Sequence, residues 1–72
     1  MFTKDSKLKV LMKDPKASEV LEKHFPGYEK DTRFKMAGNM GMSVADTQQH
    51  SKGKLTDEML AAVDADLRAL GD

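Results

Sequence analysis

The chain has no cysteine, and that single absence removes disulfides, thiolate zinc sites and cysteine nucleophiles together. A small domain without disulfides must rest on the packing of its secondary structure, and the simplest expectation is a cytoplasmic home or attachment to an enzyme. Long apolar runs are missing too. No charge-poor stretch approaches the roughly 18 residues that cross a bilayer, and the opening Met1-Phe2-Thr3-Lys4-Asp5 carries none of the apolar core of a secretion signal. A soluble domain without membrane contact is therefore expected. Net charge is absent as well: twelve Lys and Arg offset twelve Asp and Glu. A domain that grips nucleic acid by its phosphates shows a basic excess on one face, so nucleic acid is not expected as the partner. Charge is uneven along the chain, with Lys4, Lys7, Lys9, Lys13 and Lys16 in the first third and Asp57, Glu58, Asp64, Asp66 and Asp72 in the last. Such asymmetry solvates helix faces and can orient a partner. No stretch alternates apolar and polar residues over the length of a strand, and there is no repeat, low-complexity tract or long linker.

What is present is helical. Asp14-Pro15 reads as a helix start, because Asp14 can accept from an orphan backbone N–H and Pro15 at the first helical position loses nothing by lacking its own. Ala17, Val20, Leu21, His24 and Phe25 then share one helical face, until Pro26-Gly27 stops it. Thr56 caps a second clear helix, predicted from about Asp57 to Leu70. Its first-turn acids suit the helix dipole, and Leu60, Val63, Leu67 and Leu70 form its stripe. Leu8, Leu11 and Met12 predict a short first helix ending near Lys13, with Asp5 or Ser6 as its cap. Asp31-Thr32 predicts a turn or two carrying Phe34 and Met36 before Gly38 interrupts. Ser43-Val44-Ala45-Asp46 has the form of a capping box and predicts a short helix ending before Gly53. With 72 residues the chain is one domain at most. The expectation is a single all-α domain over residues 1–72, a compact bundle of about four to five short helices. Its expected core is Leu8, Leu11, Met12, Val20, Leu21, Phe25, Phe34, Met36, Val44, Leu55, Leu60, Val63, Leu67 and Leu70.

No constellation carries chemistry. His24 and His50 match no local metal motif, and His24 falls on the apolar face beside Phe25, which suits a structural histidine. The carboxylates are spread along the helices, whereas acid–base pairs need one acid desolvated in a walled site. Neither GxGxxG nor Walker spacing occurs. Ser43 stands where a small helical carrier protein bears its phosphopantetheine, but Met42 precedes it where carriers have Asp. The helix beyond carries Gln48, Gln49 and His50 in place of an acidic face, so an N-cap role accounts for Ser43 more simply. The unusual segment is Lys35-Met36-Ala37-Gly38-Asn39-Met40-Gly41-Met42. Methionine clusters fill gaps in small cores, and they also form adaptable binding surfaces. Core packing is the commoner case. If instead the segment is a surface, Phe34, Met36, Met40 and Met42 are the candidate interaction residues.

Three stretches together are similar to a known kind of module. They are Leu11-Met12-Lys13-Asp14-Pro15-Lys16-Ala17, continued by Val20-Leu21-Glu22-Lys23-His24-Phe25-Pro26-Gly27; Phe34-Lys35-Met36-Ala37 with Gly41-Met42-Ser43; and Leu55-Thr56-Asp57-Glu58-Met59-Leu60. Their order resembles small helical accessory modules at the C-terminal ends of bacterial hydrolases acting on carbohydrates or esters. The resemblance spans about residue 8 to residue 70. It departs after Ser43, where a more apolar helix than Val44-Ala45-Asp46-Thr47-Gln48-Gln49-His50 belongs. It implies no catalytic residue and no cofactor. The expected role is a non-catalytic accessory or protein-interaction module whose partner is another protein or a neighbouring domain. A small-ligand or nucleic-acid-binding helical domain is the alternative, and a carrier using Ser43 stands behind it.

Overall fold

A computed structural model describes residues 1–71; Asp72, counted above among the acids of the last third, lies outside them. The chain forms α1 (Leu8–Lys13), α2 (Pro15–His24), a 3-10 turn (Tyr28–Lys30), α3 (Thr32–Asn39), α4 (Val44–Gln48) and α5 (Asp57–Ala69). Among the described residues there is no strand, only an isolated bridge between Lys7 and Ser43. The fold is all-α, a bundle of short helices, and none of them is long and apolar enough to cross a membrane.

Local capping explains most of the boundaries. The Asp14 carboxylate accepts from the Ala17 N–H at 2.8 Å, with Pro15 at the first helical position of α2. Asp31 accepts from the Arg33 N–H at 2.9 Å to open α3. Ser43 and Asp46 exchange side-chain-to-backbone bonds of 3.1 and 3.0 Å, a complete capping box for α4. Thr56 accepts from the Met59 N–H at 3.1 Å to open α5. That helix ends at Ala69 with Leu70 as its C-cap, one residue short of the predicted end and within the usual fraying of a last turn.

Two expectations about helix ends are corrected. Neither Asp5 nor Ser6 caps α1: Lys7 holds the N-cap position and offers no side-chain acceptor. The Ser6 hydroxyl instead accepts from the Thr3 N–H, and the first N–H of α1, that of Leu8, donates to the Met42 carbonyl at 2.9 Å. A tertiary contact thus satisfies a donor that a local cap was expected to satisfy. Gly38 does not interrupt α3 either. The helix runs through it to Asn39, and Gly38 is buried against α1, where a Cβ would meet the Met12 Sδ at 3.8 Å and the Lys9 backbone nitrogen at 3.9 Å. The backbone turns at Gly41, whose φ of 77° lies in the left-handed region.

Leu8, Leu11, Leu21, Val44, Val63 and Leu67 are fully buried and form the centre of the core. Val20, Leu55 and Leu60 are buried around them, and Met12, Phe25, Phe34 and Leu70 pack against the cluster half-buried. Met36 is a correction: it is 58% exposed. The buried face of α3 runs Phe34, Ala37, Gly38, at i, i+3 and i+4, and Met36 lies two residues from Phe34 on the opposite side. Ala17, Tyr28 and Ala37 are buried in addition to the expected members. In the N-terminal stretch the Lys4 N–H donates to the Asp64 carboxylate at 2.8 Å and the Lys4 carbonyl accepts from the Ala45 N–H at 3.0 Å, so Lys4 links α4 to α5.

Candidate functional site

The turn after α2, the outer face of α3 and the connection between α4 and α5 enclose one side of an open groove of about 480 Å³. Its aromatic part comes from three rings held together across two elements. Phe25 and Phe34 lie 5.3 Å apart between centroids and Tyr28 and Phe34 5.8 Å apart, within the range of favourable tilted and edge contacts. Tyr28 is buried, and burial, reinforced by the Glu29 charge, raises its phenol above the ordinary tyrosine range. It is therefore a neutral wall at physiological pH. Leu55 and Met59 contribute from the far side, and Met36, Met40 and Met42 from α3 and the turn behind it.

Two of those methionines are turned to solvent, Met36 at 58% and Met40 at 72% exposure. Of the four candidate interaction residues, all line the groove, but they divide by burial: Phe34 and Met42 pack against the core, whereas Met36 and Met40 do not. The alternation follows from the helix. Phe34 and Ala37 face inward, Met36 and Met40 fall four residues apart on the outer face, and Met42 returns to the core after the turn at Gly41.

Polar groups are few. Thr47 donates to the Val44 carbonyl and Ser51 to the Gln48 carbonyl while accepting from the Leu55 N–H, so both hydroxyls are engaged in shaping the loop. At the rim, Arg33 pairs with Asp31 at 3.2 Å, and its hydrogen bonds hold the Asp31 carboxyl below the ordinary carboxylate range. Asp31 is thus an anion at neutral pH, not a proton donor. Exposed His50 and Lys54 complete the rim.

Of the remaining sequence candidates, Ser43 and His24 lie outside the groove. Ser43 is 6% exposed, with its hydroxyl accepting from the Asp46 N–H. His24 and His50 do not meet: His24 pairs with Asp66 across α2 and α5. Among the described residues no group of three histidines or carboxylates is gathered to hold a metal. Sequence reasoning missed the contributions of Tyr28, Leu55 and Met59 to the groove, because nothing local shows that loop 49–56 folds toward α3. No family model, curated protein or solved structure matches the chain.

Proposed function

We propose that this chain is a non-catalytic accessory or protein-interaction module that docks a partner, another protein or a neighbouring domain, in the methionine-lined groove. The observation that carries the reading is the exposure of Met36 and Met40 beside an aromatic floor. Large apolar side chains left together in water lose the stabilisation that burial gives, and contiguous apolar patches mark contact surfaces. Methionine suits the purpose, since an unbranched polarisable side chain re-packs around different shapes. The non-catalytic part rests on the sequence, in which no constellation of acid, base and nucleophile carries chemistry. A carrier role for Ser43 finds no support in a buried, capping hydroxyl. The resemblance to modules at the C-terminal ends of hydrolases fits a neighbouring catalytic domain as the partner.

The test is capture from the native lysate with three tagged chains: wild type, Met36→Asp/Met40→Asp, and Val10→Asp. Val10 is exposed on α1, outside the groove. A protein held by the wild type and by Val10→Asp but lost by the double variant supports the groove. Equal capture by all three chains would remove it.

A further inference from the structure

The geometry points to a metal site for a soft monovalent cation, Cu(I), held by the thioethers of Met36, Met40 and Met42. This goes beyond the docking reading and does not rest on it, because it uses the sulfur of these side chains where docking uses their apolar bulk. Four of the chain's six methionines line the groove beside α3, so its soft donors are gathered in one place. With no cysteine in the chain, no thiolate competes with them.

Backbone geometry brings three of the four together. Met36 and Met40 stand one helical turn apart in α3 and its C-cap, so their side chains are neighbours on the outer face. An extended exit from the helix would carry Met42 away from them. Instead α3 closes in a Schellman turn. The Gly41 N–H donates to the Gly38 carbonyl at 3.1 Å and the Met42 N–H to the Ala37 carbonyl at 3.0 Å. The left-handed backbone of Gly41, φ 77°, makes that closure possible. Met42 is thereby folded back beside Ala37, the neighbour of Met36, and lines the groove with the other two methionines. Met36 and Met40 are exposed while Met42 packs against the core. The site thus has two mobile arms open to solvent and one anchored sulfur. Methionine is unbranched and flexible, so the arms can turn their sulfurs onto one ion while the backbone stays in place.

The donor set decides which ion is favoured. Zinc is held by thiolate, imidazole and carboxylate, and hard cations by oxygen. Asp31, the one carboxylate lining the groove among the described residues, is engaged by Arg33 at 3.2 Å. A divalent cation therefore meets no free anionic ligand there, whereas neutral thioethers suit Cu(I).

The experiment titrates Cu(I), kept reduced under anaerobic conditions, and separately Zn(II) into the intact chain, with the methionine ε-methyl signals followed by NMR. Cu(I) is expected to shift Met36, Met40 and Met42 together and to saturate at a single equivalent. Met1 and Met12, outside the groove, should stay in place, and Zn(II) should shift none of the three. Met36→Leu/Met40→Leu changes two exposed side chains and should leave the melting curve where it was. It should weaken Cu(I) binding by more than about tenfold, the smaller loss seen when even an outer partner of a metal ligand is removed. Leucine keeps the apolar surface, so partner capture should survive in that variant, and the metal and docking readings can fail separately. Shifts that include Met1 equally, the same shifts with Zn(II), no shift at the three methionines, or undiminished binding by the leucine variant would each overturn the site.

Discussion

His24 and Asp66 meet at 2.6 Å, Nε2 to Oδ2, and fasten the last turn of α2 to α5. Lys23 reaches the same oxygen at 3.2 Å. These bonds, the His24 contact foremost, hold the Asp66 carboxyl below the ordinary carboxylate range. With Asp66 ionised, His24 donates and Asp66 accepts. A carboxylate whose folded pKa is depressed stabilises the fold above its unfolded value, about 3.9, and that contribution is lost as pH falls through the folded value. Asp64, bonded to the Lys4 N–H, and Asp46, in its capping box, are lowered too and act with the same sign. The urea midpoint of the wild type should therefore be flat near neutrality and drop on acidification below about pH 4. Asp66→Asn should be less stable at neutral pH and approach the wild type in acid. Two curves that run parallel across the acid range would deny the contact its role.

The glycines of the methionine segment should respond in opposite senses to one substitution. Gly38 sits inside α3, and a Cβ there meets neighbours only at ordinary contact distance, 3.8 Å and beyond. Gly38→Ala should thus raise stability, by up to about 1 kcal/mol from helix propensity. Gly41 holds a φ of 77°, and Gly41→Ala should lower stability by about 1 kcal/mol for the left-handed backbone. Denaturant titrations of both variants decide it; two losses would mean that the helix axis at Gly38 is closer to α1 than described.

Removing part of the core should be costly on the scale of the whole domain. Leu21 and Leu67 are fully buried and belong to α2 and α5, which pack together. Replacing either with alanine should cost about 2–5 kcal/mol, and a domain of this size has only a few kcal/mol to lose, roughly 3–5. Circular-dichroism melts should find much of each variant unfolded at room temperature. Melts that barely move for both would place the core elsewhere.

Caps should give a smaller and separable loss. Asp14→Ala removes the acceptor of the Ala17 N–H and should cost about 1 kcal/mol. Ser43→Ala removes one half of the box and leaves Asp46 to accept alone, again at a cost of about 1 kcal/mol. Chemical denaturation resolves losses of that size.

How much of this was legible in the sequence depends on where each interaction lies. The caps at Asp14, Asp31, Ser43 and Thr56 join residues two or three apart, so residue type and spacing sufficed to read them. The start of α1 was misread because its first donor is satisfied by the Met42 carbonyl, a partner far away in the chain. Gly38 was misread as a breaker because it lies inside α3 against α1, a placement that only packing decides. Half of the candidate surface was legible for a related reason. The cluster of methionines was visible, but its division into exposed Met36 and Met40 and core-packed Met42 required the register of α3 and the turn at Gly41. Tyr28, Leu55 and Met59 join the groove through tertiary packing alone.

The most direct measurement of the central claim is relaxation of the methionine ε-methyl signals by a soluble paramagnetic agent, with and without the captured partner. In the free chain Met36 and Met40, at 58% and 72% exposure, should be strongly broadened and the half-buried Met12 much less. Adding the partner should protect Met36 and Met40 while Met1, exposed outside the groove, stays broadened. If Met36 and Met40 remain accessible in the complex, or are already shielded in the free chain, the groove is not the docking surface.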